Sequence, residues 1–283
     1  MQPQIKRRVQ ATAIFMCGAM LGSVSPIAVA DEPCGGGELD ECRALIEINA
    51  SDGDVGFHVL LDAEGWREAR IVDPDGNKIF EERPSNNLRE QALTENFFET
   101  AEPPCWWDSE DEDVDWDEDE VVTLEEFLER FPAGAYEFRN KLEGGEELAG
   151  STILTHVIPA APVDVDFNGS VIEWAYDADP EAEEVLGQCE KPEGLTIAQN
   201  LAAFEVVLEP EDEAYSAFKF TVQVPPTVNE VSVPSEYLAA LEEGIELKVE
   251  VGAIEMRPNG SFGNQTFTEE DGFCRTLNGT CPE

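Results

Sequence analysis

Alternation of apolar side chains at every second residue constrains this chain more than any other feature. In "VGFHVLL", Val55, Phe57, Val59 and Leu61 alternate with Gly56, His58 and Leu60. Ile172, Trp174 and Tyr176 alternate in the same way. So do Phe218, Phe220, Val222 and Val224, and further on Leu247, Val249, Val251 and Ala253. Successive side chains of an extended backbone point to opposite faces, so a period of two buries one face of a sheet and leaves the other free. Turn chemistry separates the alternating stretches. Asp73-Pro74-Asp75-Gly76 lies inside "IVDPDGNKIF", and Gly144-Gly145 inside "YEFRNKLEGGEELAGSTILTHVI". Pro225-Pro226, Pro234 and Asn259-Gly260 punctuate the second half. Short strands between regular turns predict an all-β chain of the sandwich kind. Helical periodicity is brief. Leu124, Phe127, Leu128 and Phe131 form an i, i+3, i+4, i+7 stripe. Thr123 and Glu126 precede it as a capping box, and Pro132 and Gly134 end it. Asn87 to Phe98 predicts a second short helix.

The organisation follows from punctuation and composition. Lys6, Arg7 and Arg8, an apolar stretch broken by Gly and Ser, and Ala28 to Ala30 form the pattern of a secretory signal peptide over residues 1–30, cut before Asp31. Residues 31–43, Gly-rich and Cys-bearing, are expected to be a tether. "IPAAPVDV", Ile158 to Val165, marks a boundary between an N-terminal β-sandwich over 44–158 and a second one over 160–283. The first carries an acidic insertion over 105–122 and one or two short helices. Six cysteines follow the signal segment: Cys34, Cys42, Cys105, Cys189, Cys274 and Cys281. An even number in an exported chain suggests disulfides. Proximity favours Cys34–Cys42 and Cys274–Cys281, which leaves Cys105–Cys189 to join distant segments. No CxxC pair exists and neither histidine is near a cysteine, which argues against a cysteine zinc site.

Charge excludes some functions. The chain has 62 acidic and 17 basic side chains; three of the basic ones lie in the first thirty residues, which leaves 14 against 62. Such a surface repels nucleic acid and anionic lipid, attracts cations and stays soluble in salt. The expectation is an exported protein, periplasmic, cell-surface or secreted, with no nucleic-acid partner and no stable membrane insertion after signal cleavage.

"APVDVDFNGSVIEWAYD" resembles the first two strands of a fibronectin type III domain, with Trp174 at that family's core tryptophan. "FKFTVQVPPTVNEVSVPSEYL" resembles its middle strands and "LKVEVGAIEMRPNGSFGNQT" its last hairpin. The resemblance covers about residues 160–272. It departs at the family's tyrosine-corner position, which is Leu247 here. As a whole the chain resembles a group of uncharacterised exported bacterial proteins that end in such a domain, a group whose pattern resembles "EINASDGD", "NLREQALTENFFETAEPP" and "TLEEFLERFPAGAYEF". That resemblance implies tandem immunoglobulin/fibronectin type III-like sandwiches and no particular activity.

Catalytic chemistry is thin. His58 and His156 are the two histidines, expected at the surface or at an edge, His58 facing outward. No GxSxG, HExxH or phosphate loop occurs. No catalytic residue and no cofactor is assigned. The sharpest candidate is "VDWDEDEVVTLEEF", where Asp115, Asp117, Asp119 and Glu126 fall at the first, third, fifth and twelfth positions of an EF-hand calcium loop. Its sixth position, normally Gly, is Glu120, and no amphipathic helix enters it. Thr123 and Glu126 already serve the helix cap, and ten of the thirteen residues from Asp108 to Glu120 are acidic. Weak cation binding by an acidic tongue is expected, with an ordered calcium half-site as the alternative. Trp106, Trp107 and Trp116 are expected to pack this tongue onto the domain. Asp52 and Asp54 in "SDGDVG" form a second, turn-borne candidate. The functional expectation is a non-catalytic binding, adhesion or scaffold protein for a protein or polysaccharide ligand. The alternatives are an accessory protein or hydrolase acting on an extracellular polymer, and a calcium-dependent protein.

Overall fold

The computed structural model describes residues 34–36, 38–106, 120–182, 184–212, 215 and 217–275. The first half contains β1 (Glu41–Asn49), β2 (Asp54–Trp66), β3 (Glu68–Val72), β4 (Lys78–Glu82), α1 (Asn86–Gln91), β5 (Leu93–Glu99) and α2 (Leu124–Arg130). It closes with β6 (Gly134–Lys141), β7 (Glu147–Leu154) and β8 (Val157–Ile158). The second half contains β9 (Val163–Phe167), β10 (Val171–Ala175), β11 (Thr196–Ile197), β12 (Leu201–Pro210), β13 (Phe220–Val224) and β14 (Glu230–Ser232). It ends with α3 (Ser235–Ala240), β15 (Glu246–Met256) and β16 (Phe262–Cys274). The protein is all-β, built as two sandwiches.

The sandwiches share a wall. One seven-stranded sheet runs β13-β12-β15-β16-β1-β2-β5 through both halves. At its seam β1 lies parallel to β16, with Glu47 opposite Gln265 and Asn49 opposite Phe267. A four-stranded sheet, β4-β3-β6-β7, pairs with the β1–β2–β5 end, and a three-stranded sheet, β14-β10-β9, with the β12–β15 end. The period-two residues fill the two gaps. Val55, Phe57, Val59 and Leu61 are buried against Ile71, Tyr136 and Phe138. Leu247, Val249, Val251 and Ala253 are buried with Trp174, Phe204 and Phe167. Each large apolar side chain so buried contributes about 1.5–3 kcal/mol. Trp174 meets Phe204 edge to face, and Leu247 is fully buried in the same core.

Polar side chains, rather than a β ladder, hold the boundary segment to the shared sheet. The Asn264 amide donates to the Thr155 and Val157 carbonyls, at 2.9 and 3.0 Å, and its oxygen accepts from Ile46 N–H at 2.9 Å. The hydroxyls of Thr266 and Thr268 donate to the carbonyls of Pro159 and Pro162. Glu255 accepts from the Thr155 hydroxyl at 2.9 Å and from Asn264 N–H at 3.0 Å. Arg257 reaches Ala44 O at 2.7 Å. Glu255, Arg257 and Asn264 are all buried, so these bonds satisfy groups that would otherwise be stranded away from water.

Both predicted hairpins form. Gly76 (φ +84) closes β3–β4 and Gly145 (φ +85) closes β6–β7, in a backbone region that glycine enters without strain. Helix α2 buries Leu124, Phe127 and Leu128, and Phe131 beyond its end stacks on Phe57 at 4.3 Å. The Thr123 hydroxyl accepts from Glu126 N–H, which is the Thr half of the capping box.

Some expectations need correction. Glu41 to Arg43 lie in β1, not in a tether. Buried Cys42 faces the core, and Cys34–Cys42 folds the preceding residues onto β7, where Gly35 and Ser151 exchange backbone bonds. The second helix stops at Gln91. Ala92 has φ +68, and Leu93 onward pairs with β2 as an edge strand, where Phe97 and Phe98 fit better than in a helix. Helix α3 was not foreseen from periodicity. Phe218 lies before β13 and is 47% exposed.

Candidate functional site

The β1–β2 connection is Ala50 to Gly53. The Asn49 side-chain oxygen accepts from Ser51 and Asp52 N–H, and its amide donates to the Asp52 carboxylate at 2.8 Å. Gly53 takes φ +70, and a side chain there would strike the Trp106 indole. The segment after β5 returns along this turn. Cys105 N–H donates to Gly53 O at 2.7 Å, Trp106 Nε1 donates to Asp52 O, and Cys105 is bridged to Cys189. Gln188 N–H meets Ala50 O from the other side. A cleft of about 400 Å³ results, lined by Ser51, Asp52, Asp54, Glu102, Pro104, Trp106 and Gln188.

Beside the cleft, on the face of the shared sheet that points away from the core, stands His58. The hairpin pairs Glu47 with Gly56 and Leu45 with His58, which makes Glu47 a diagonal neighbour of the imidazole. Pairing of β2 with β5 sets Glu99 opposite His58. Its Nε2 lies 3.3 Å from a Glu102 oxygen and 3.7 Å from a Glu47 oxygen; Nδ1 lies 3.8 Å from a Glu99 oxygen. The His58 side chain is 9% exposed. His58 therefore faces away from the core but not into solvent, because Glu102 and Glu47 close over it.

Electrostatics set the protonation of this cluster. Glu47 is pushed up to about 7, first by burial and then by Glu102, Glu205 and Glu99, against the opposing pull of His58. Asp54 is pushed up to about 7 by burial, with Glu102, Asp52 and Glu47 adding to it. For His58 burial works against the imidazolium, yet the hydrogen bond to Glu102 and the charges of Glu47, Glu102 and Glu99 prevail, and its pKa rises. The group can hold protons near neutrality and attracts cations. Among the described residues, no lysine or arginine pairs with Glu47, Glu99 or Glu102. Elsewhere on this face a base is present: Lys248 binds Glu269 at 2.7 Å, with Glu250 and Glu209 beside it.

Of the residues singled out in the sequence, Asp115, Asp117, Asp119, Trp107 and Trp116 lie outside the described residues. Glu126 is in the first turn of α2, exposed, with its backbone at the cap. Trp106 does pack onto the domain. The Asp52–Asp54 turn reaches the cleft. Cys34–Cys42 and Cys105–Cys189 are formed; Cys274 is disulfide-bonded, and Cys281, its expected partner, lies outside the described residues. His156 is half-buried, its Nε2 2.9 Å from Phe131 O. Glu47, Glu99 and Glu102 were not foreseen. Alternation alone puts Glu47 and His58 off the core, but only the hairpin register makes them neighbours. Nothing local marks Glu99 or Glu102.

Neither a protein-family model nor a curated protein sequence matches this chain. Among solved structures it is similar to the FN1-FN3 domains of chicken CNTN1, at 12% identity over 85% of this chain and 68% of that one, with a TM-score of 0.24. It is also similar to the BSP domain of a biofilm associated protein, at 11% identity over 82% of this chain and 29% of that one, TM-score 0.21. A third is the human OSCAR ligand-binding domain, at 10% identity over 79% of this chain and 95% of that one, TM-score 0.23. The first and third of these are of fibronectin type III and immunoglobulin-like kind. Among the described residues, no helix is long and apolar enough to cross a membrane.

Proposed function

We propose that the protein is an exported, non-catalytic binding module of the adhesion or scaffold kind, and that its binding face is the outer face of the seven-stranded sheet. One observation carries this reading. Both cores lie on one side of that sheet, and the strands that span both sandwiches set Glu47, Glu205, Glu250 and Glu269 side by side on the other. An acidic sheet face suits a ligand with spaced positive charges, and complementarity of that kind steers encounter more than it adds raw affinity. The disulfides Cys34–Cys42 and Cys105–Cys189, with Cys274 bonded as well, fit an oxidising compartment.

Binding of a lysine-rich peptide to the immobilised chain tests the face. Affinity is expected to fall steeply with salt and to drop several-fold in Glu205→Gln/Glu250→Gln. Equal affinity and an unchanged salt slope in that variant would move the binding elsewhere on the acidic surface.

A further inference from the structure

We infer that Glu47, His58 and Glu102 form a binding site for one transition-metal dication of the zinc class. Each residue offers one donor atom, and the three atoms all lie within 4.8 Å of one another. Metal–nitrogen and metal–oxygen bonds of about 2.0–2.1 Å at tetrahedral angles place neighbouring donors about 3.3–3.4 Å apart. His58 Nε2 is 3.3 Å from Glu102 Oε1 and 3.7 Å from Glu47 Oε1, so the nitrogen already stands at that spacing from one carboxylate and close to it from the other.

Three further observations separate this group from an ordinary acidic patch. A single imidazole, nine-tenths buried, is surrounded by the carboxyl groups of Glu47, Glu99 and Glu102, with no lysine or arginine among the described residues paired to them. The space between the donors is reserved by Gly56: a Cβ there would stand 2.7 Å from Glu102 Oε1 and 2.9 Å from His58 Nε2. Finally, the donors come from separately fixed elements. Glu47 is in the middle of β1, at the seam, and His58 is in a buried stretch of β2. Glu102 lies in a segment fixed at one end by the Phe57 N–H bond to the Thr100 hydroxyl and at the other by Cys105–Cys189. A site held this way loses little conformational freedom on binding.

The donor types select the ion. Calcium takes six to eight oxygens and has no preference for an imidazole, whereas zinc and its neighbours take nitrogen and carboxylate together. Three protein donors leave one coordination position for water or for a ligand. The site is distinct from the acidic segment after Trp106 and from the Asp52–Asp54 turn; it shares Glu47 with the proposed binding face, and zinc affinity and peptide affinity are measured separately.

Calorimetric titration of the chelator-stripped exported chain, from Asp31 onward, with zinc in a calcium background that occupies diffuse carboxylate sites tests the assignment. One zinc per chain is expected, with affinity at least tenfold weaker in His58→Gln and in Glu102→Gln. Cobalt substituted for zinc should give visible ligand-field bands that His58→Gln abolishes. Absence of saturable zinc binding in the unaltered chain overturns the site, as does equal affinity in the variants. If His58→Gln loses its cooperative melt, Glu102→Gln decides alone, since Glu102 is 39% exposed and packs into no core. Peptide binding that persists while zinc fails to bind would remove the metal site and leave the binding-module reading standing.

Discussion

His58 sits among three carboxyl groups, and in the metal-free chain their burial shows in how stability depends on pH. Glu47 and Asp54 titrate near 7 in the folded chain, against 4.5 and 3.8 as ordinary values. An acid whose pKa is raised by folding binds protons more tightly folded than unfolded. Its contribution is therefore fully present below its unfolded pKa and is lost as pH rises through the folded one. His58, also raised, has the same sign: its contribution is present below 6.5 and lost above its folded pKa. All three point one way. In chelator, the melting temperature is expected to fall as pH rises from about 5 to about 8, with Glu47→Gln flattening the slope. An upward slope over that window, or one that Glu47→Gln leaves alone, would show that other groups govern it. Two other residues have structural work that sequence motifs conceal. Asn49 and Asn264 each begin an Asn-x-Ser/Thr triplet, yet both are buried and hydrogen-bonded, one shaping the β1–β2 turn and the other joining the halves.

At the scale of elements, α2 takes in Glu126, the last position of the candidate calcium loop. Its stripe is buried and its cap is made by the Thr123 hydroxyl, so its start needs no ion. Removing that hydroxyl with Thr123→Ala should cost about 1 kcal/mol, the usual worth of an N-cap. Whether the acids before it bind calcium is a separate question, and the Asp117→Asn/Glu126→Gln pair answers it. If the segment binds only diffusely, calorimetric heats with calcium stay as in the unaltered chain; their loss would establish an ordered half-site. The Cys105–Cys189 bridge spans 84 residues and ties the segment after β5 to the loop before β11. Replacing both cysteines by serine should cost about 2–5 kcal/mol in urea unfolding, because the open chain regains the loop entropy the bridge removes.

For the molecule as a whole, the shared sheet sets cooperativity. Strand β16 is a neighbour of both β15 and β1, and Asn264, Thr266, Glu255 and Arg257 fill the seam behind it. Neither half can open without stranding these buried groups. A single calorimetric transition is expected, and Asn264→Ala should lower it as a unit by about 2–4 kcal/mol, since several buried partners lose their bonds together. Two resolved transitions, or a variant that shifts only one part of the melt, would mean that the halves unfold independently.

The sequence by itself determined the alternating strands, their buried faces and the turns between them. A period of two is a local property, so Val55 to Leu61 and Leu247 to Ala253 declare their buried faces without help from the rest of the chain, and Pro and Gly declare the turns. It also determined the acidic character and the cap of α2, and short separation favoured the Cys34–Cys42 pairing that the structure forms. Only the tertiary structure decided how the sandwiches join and where the donors meet. The seam sets Glu47 opposite Gln265, two residues that are 218 positions apart in the chain. Glu102 reaches His58 across 44 residues through the register of β5 on β2 and the course of the segment after it. Register and sheet order are chosen by long-range packing, and a carboxylate gives no local sign of which distant imidazole it will face.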